Sequence, residues 1–124
     1  MFKDEKDYFR RQVQRAARML ALTLFQKEQT EYRLPEGQPQ SEADRLYLQM
    51  RERVDRGEVN EAENLLFEKT DWSDLRFLEV ALDFYDRLNG WSEEELAACG
   101  YSHEEVEEGL REVAGRFGAP YDGI

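Results

Sequence analysis

Apolar residues recur every three or four positions along most of this 124-residue chain, and nowhere do they alternate with polar ones over the length of a strand. Spacings near 3.6 residues place side chains on one face of a helix, whereas a half-buried strand needs a period of two. The expected fold is therefore all-α: about six helices in a compact bundle of antiparallel hairpins, with a long amphipathic helix at the N-terminus. A chain of this length buries roughly two thirds of the surface that its unfolded form exposes, enough for a core without covalent staples. The lone Cys99 allows no internal disulfide, and with a single histidine it makes no four-ligand Cys/His zinc site. A reducing, cytoplasmic setting fits that composition.

From about Lys6 to Lys27, the residues Phe9, Val13, Ala16, Ala17, Leu20 and Leu24 share one face, and Arg11, Arg15 and Arg18 lie opposite. Met19, Leu22 and Phe25 carry apolar character round toward that basic side, so the second half of the helix is sticky all round. Two of the three prolines fall between Tyr32 and Gln40, a stretch without periodicity. One domain overall is expected, read as a basic N-terminal helix over residues 1–31, a flexible linker over 32–40, an acidic helical bundle over 41–118 and a loose tail over 119–124. The longest nearly apolar run, Ala16 to Phe25, is broken by Arg18 and is neither a signal peptide nor a membrane span.

Local signals set the helix boundaries within the bundle. Ser41 is placed as an N-cap for a second helix through Leu46, Tyr47, Met50 and Val54, which stops at Arg56-Gly57. A third helix follows over roughly Val59 to Lys69, forming a tight hairpin with the second. Asp71 or Ser73 is expected to cap the fourth, Asp74 to Asn89. Its two apolar stripes, Leu75/Leu78/Leu82/Tyr85 and Phe77/Ala81/Phe84/Leu88, put it at the centre of the bundle. Ser92-Glu93-Glu94-Glu95 and Ser102-His103-Glu104-Glu105 are both capping boxes, each flanked by an apolar staple pair: Trp91 with Leu96, and Tyr101 with Val106. They open a short fifth helix and a sixth that runs to Gly118.

Charge divides sharply along the chain. Residues 1–27 carry seven basic groups against three acidic ones, a net of +4; from residue 28 onward there are ten against 25, a net of −15. The basic helix either packs on its own acidic body with its charges as a solvated rim, or presents a binding face. The candidate interaction residues are Arg11, Arg15, Arg18, Met19, Leu22 and Phe25, and the occupant expected is a protein partner or a second copy of the chain in a homodimer. Nucleic acid and membrane surfaces are alternatives that repulsion from the acidic body opposes.

Motifs for chemistry are sparse. The sequence has no Gly-rich phosphate loop, no twelve-residue calcium loop and no pair of Glu-x-x-His motifs for a di-iron bundle. His103, in the first turn of the sixth helix, is read as a surface histidine, and Cys99, near a helix C-terminus that opposes a thiolate, as a packing cysteine. No cofactor, metal or small molecule is inferred. An enzyme using a carboxylate cluster is the alternative from another class, since the pairing of 28 carboxylates depends on the fold.

Gly57-Glu58-Val59-Asn60-Glu61-Ala62-Glu63-Asn64-Leu65-Leu66 resembles the turn and second helix of a tetratricopeptide repeat, with Lys69 standing where that motif prefers a small residue and room for only one repeat. That resemblance implies helical-hairpin packing of a kind used to bind peptides. A wider set of segments comprises Asp7-Tyr8-Phe9-Arg10-Arg11, Leu24-Phe25-Gln26-Lys27, the stretch from Gly57 to Glu68, Phe84-Tyr85-Asp86-Arg87-Leu88-Asn89 and the stretch from Tyr101 to Leu110. In these the chain resembles a family of small, acidic, all-helical bacterial proteins of unknown function. The resemblance covers nearly the whole length, implies one compact unit in a bacterial cytoplasm and brings no site residues with it.

Overall fold

The computed structural model describes residues 3–37 and 40–121, with side chains from Asp7 onward. Among these residues there are six helices and no strand: α1 (Lys3–Phe25), α2 (Glu42–Asp55), α3 (Val59–Lys69), α4 (Leu75–Asn89), α5 (Glu93–Ala98) and α6 (His103–Phe117). No helix among the described residues is long and apolar enough to cross a membrane.

The capping chemistry explains most boundaries. At Ser41 the hydroxyl accepts the Asp44 N–H while the Asp44 carboxylate accepts the Ser41 N–H, and the same reciprocal pair forms between Ser92 and Glu95. At Ser102 only half the box forms, because the hydroxyl accepts the Glu105 N–H but donates to the Glu105 carboxylate at 3.1 Å. Gly57, at φ +78°, makes the left-handed turn between α2 and α3. The N-cap of α4 is Asp74 rather than Asp71 or Ser73. Asp71 instead accepts both the Ser73 N–H and the Ser73 hydroxyl, closing a local turn of its own.

α4 is the centre of the bundle, packed against α1, α6 and α2, while α3 pairs with α2 as a hairpin. It buries Phe77, Leu78, Val80, Ala81, Leu82, Phe84, Tyr85 and Leu88; Leu75, its first residue, stays exposed at the helix end. α1 lies against α4 and α6 through Val13, Ala16, Ala17, Leu20 and Ala21, all buried. Three alanines in that face let the helix backbones approach closely, since interaxial distance follows side-chain size at the contact. Helix one therefore docks on its own acidic body, the plainer of the two expectations for it.

α1 ends at Phe25, short of the 1–31 expected for it, and residues 26–32, up to the first residue of the expected linker, are held on the bundle. Gln26 turns left-handed (φ 51°), and the chain then runs along one face of α4. Lys27 Nζ pairs with Glu79 at 3.2 Å, the Thr30 hydroxyl donates to Asp86 at 2.6 Å, and the Tyr32 N–H donates to Asp83 at 2.8 Å. Those three acidic residues stand about one helical turn apart, so together they form the track on which this strap is laid. Tyr32 is itself buried, its ring stacked on Tyr47 with centroids 4.9 Å apart. Residues 38 and 39 of the expected linker lie outside the described residues, as do 122–124 of the expected loose tail. Tyr121 of that tail is held, its hydroxyl donating to Glu107 at 3.1 Å beneath the Arg111 guanidinium.

Candidate interaction surface

With Val13, Ala16, Ala17, Leu20 and Ala21 turned into the core, helical geometry leaves a second stripe on the opposite side of α1. It runs Tyr8, Arg11, Arg15, Arg18, Met19 and Leu22 at spacings of three and four, all exposed. Tyr8 is 50% exposed and Met19 and Leu22 are each 57% exposed, among the most exposed large apolar side chains described. At about 1.5 Å per residue the stripe extends roughly 21 Å from Tyr8 to Leu22. Apolar groups stand at its two ends and arginines occupy the middle.

Five of the six expected interaction residues, Arg11, Arg15, Arg18, Met19 and Leu22, are thus brought together. Phe25 is not among them: the last residue of α1, it is half-buried and packs against the core. Tyr8 belongs to the surface and was not among the expected residues, although its three-residue spacing to Arg11 continues the pattern.

The arginines of this stripe differ from seven of the nine in the body, where Arg33 and Arg51 also lack an ion pair with a described residue and Arg51 donates to the Tyr47 hydroxyl instead. Arg45 pairs with Glu42, Arg53 with Glu58, Arg56 with Glu52, Arg76 with Asp44, Arg87 with Asp83, Arg111 with Glu107 and Arg116 with Glu112. Arg11, Arg15 and Arg18 make no ion pair with any described residue. Asp86, across a shallow groove from Arg10 and Arg11, already accepts the Thr30 hydroxyl. Three of the basic groups of the N-terminal segment, Arg11, Arg15 and Arg18, are therefore left exposed without an ion-pair partner among the described residues, whereas Lys27 at its end is paired with Glu79.

The buried polar groups serve the fold instead. Asp44 is fully buried, and burial alone would raise its carboxyl; hydrogen bonds from Tyr32 and Ser41 together with the Arg76 charge hold it below the usual range. Tyr32, desolvated and bonded to that carboxylate, is pushed up to about 12. Burial likewise raises Glu63, which accepts the Tyr85 hydroxyl at 2.6 Å. Glu107 is 1% exposed and held by two arms of Arg111 at 2.6 to 3.0 Å. His103 is not a surface residue either. At 5% exposure its Nε2 lies 3.0 Å from the Trp91 carbonyl, and burial, with the Arg10 charge nearby, depresses its pKa. Cys99 is half-buried beside the α2–α3 turn. Among the described residues no three His, Cys, Asp or Glu side chains gather as a metal-binding group.

No curated protein and no solved structure matches the chain, and the tetratricopeptide likeness of the α2–α3 hairpin finds no support. A family model does match, from residue 3 in α1 to residue 118 just past α6, so that the strap and all six helices lie within it. The chain belongs to that family, DUF6483, a family of unknown function.

Proposed function

We propose that this chain is a non-enzymatic protein-interaction module of the bacterial cytoplasm, and that the outer face of α1 is where its partner docks. One observation carries the reading: Met19 and Leu22 are more than half exposed on the same stripe as three arginines that make no ion pair with a described residue, on a helix whose inner face is buried in the core. Contiguous exposed apolar side chains mark interaction sites, and Tyr, Met and Arg are the residue types enriched at protein interfaces. The buried carboxylates, in contrast, are occupied by hydrogen bonds that hold helices and strap together, which favours a binding role over catalysis at those groups.

The experiment is retention of lysate proteins on the immobilised chain, wild type beside Met19→Asp with Leu22→Asp. Both side chains point outward, so the double variant keeps its helical circular dichroism and melting temperature. Bands that wild type retains and the variant loses support the reading. Identical retention by the two overturns it.

A further inference from the structure

We infer that the occupant of the α1 face is an acidic amphipathic helix of another protein, a conclusion that rests on the docking role proposed above and specifies its partner. The stripe is narrow and mixed: Tyr8 at one end, Arg11, Arg15 and Arg18 through the middle, Met19 and Leu22 at the other end. A helix about 10 Å across matches its width, and about 14 residues match its length. Such a partner places apolar side chains against Tyr8 and against Met19 and Leu22. Its Asp or Glu residues, spaced three and four apart, meet the three guanidiniums.

A second copy of the chain fits less well. Pairing two α1 helices antiparallel through this face sets Tyr8 against Leu22 of the second copy, a favourable apolar contact, but brings Arg15 onto Arg15 and Arg11 to within one residue of Arg18. Like charges juxtaposed at an interface repel and exclude the wrong partner. Extended polyanions meet a different obstacle. A lipid surface or a nucleic-acid duplex is far wider than one helix, so whatever touches the stripe also faces the body, which carries −15 from residue 28 onward. A single acidic helix seated on the stripe meets the three arginines directly, with Glu28 and Asp86 in the depression beside Arg18, and Asp7 and Asp86 in that beside Arg11, as nearby acidic groups, a far smaller share of the acidic body than a wide polyanion faces.

Fluorescence anisotropy of the full chain tests this with labelled helical peptides of about 18 residues, five turns, that carry a leucine face flanked either by glutamates or by lysines. The expected result is binding of the glutamate peptide that weakens about tenfold between about 50 and 300 mM salt. The lysine peptide does not bind. Arg15→Glu with Arg18→Glu reverses that preference, a change that simple misfolding does not produce. Failure of the glutamate peptide to bind, or equal binding by the reversed variant, overturns the inference. So does binding of phosphatidylglycerol vesicles or duplex DNA that the same substitutions abolish. If light scattering instead shows a dimer that Leu22→Asp dissociates, the acidic-helix occupant is wrong while the α1 docking face stands. Only unchanged lysate retention by the Met19→Asp, Leu22→Asp variant removes both.

Discussion

The Tyr85 hydroxyl donates to a Glu63 carboxylate oxygen at 2.6 Å, tying the central helix α4 to α3 across a gap that Gly109 of α6 leaves open. A methyl group at position 109 would lie 2.5 Å from the Tyr85 ring and 2.6 Å from both oxygens of that bond. Tyr85 is fully buried and has no room to retreat. Gly109→Ala is therefore expected to destabilise the fold by about 1–3 kcal/mol despite the better helix propensity of alanine, as overpacked cores do. Urea unfolding of the two proteins measures it, and a neutral or stabilising result would show that the α4–α6 contact is looser than described.

Glu63 gives that junction a pH dependence. Burial raises its carboxyl, so the folded state holds the proton more tightly than the unfolded chain does. Its contribution to stability is then fully present below the unfolded carboxyl value and is lost as pH rises through the folded one. Glu63→Gln keeps an oxygen acceptor for Tyr85 and removes the charge. The variant is expected to match wild type near pH 4 and to be the more stable at pH 7, read as the difference in melting temperature across that range.

His103 works in the opposite sense. Its pKa is depressed, with burial the largest cause, so its stabilising contribution is present above the unfolded value near 6.5 and is lost as pH falls toward the folded one. His103→Gln can still donate to the Trp91 carbonyl and does not titrate. The gap in melting temperature between wild type and this variant should shift against wild type as pH drops from about 7 to about 5. A constant gap would show that the imidazole titrates alike in both states.

How far the fold was legible follows the range of the forces involved. Serine caps and glycine turns act within four residues, which is why α3 at Val59–Lys69 and the starts of α2, α5 and α6 are readable from sequence. Tyr32 looks like linker because its partners, Asp44 and Asp83, lie 12 and 51 positions away. His103 reads as surface because the carbonyl that binds it belongs to Trp91, at the foot of the preceding helix. Arg11, Arg15, Arg18, Met19 and Leu22 were legible as an outward stripe from helical period alone, but Phe25 required knowing where α1 ends. That the stripe lacks internal ion pairs was not legible, since it depends on which carboxylates the strap and the body arginines already occupy.

The strap predicts its own weak point. Tyr32→Phe removes the hydroxyl that donates to Asp44 at 2.6 Å and accepts from Arg76 at 2.8 Å, leaving a fully buried carboxylate one donor short. The expected loss is about 1–3 kcal/mol, the cost of an unsatisfied buried group, measured by urea unfolding. The apolar ring still stacks on Tyr47, so helical content at low urea should be unchanged. A loss below about 0.5 kcal/mol would mean that water replaces the hydroxyl freely and that the strap is anchored elsewhere.

The two kinds of arginine should separate cleanly in a stability measurement. Arg111 is the cation paired with Glu107, a carboxylate 1% exposed, so Arg111→Ala leaves that buried carboxylate with the Tyr121 hydroxyl as its one remaining side-chain donor among the described residues. A cost of about 1–3 kcal/mol follows. Arg15 is exposed and makes no ion pair with a described residue, so Arg15→Ala should change stability by less than about 0.5 kcal/mol. If α1 is a docking face, the same two substitutions reverse their order in the peptide-binding assay: Arg15→Ala weakens the glutamate peptide and Arg111→Ala leaves its affinity unchanged. An Arg15 substitution that destabilises the fold as much as Arg111→Ala would instead place its guanidinium among the structural contacts of the bundle and take the charge from the stripe.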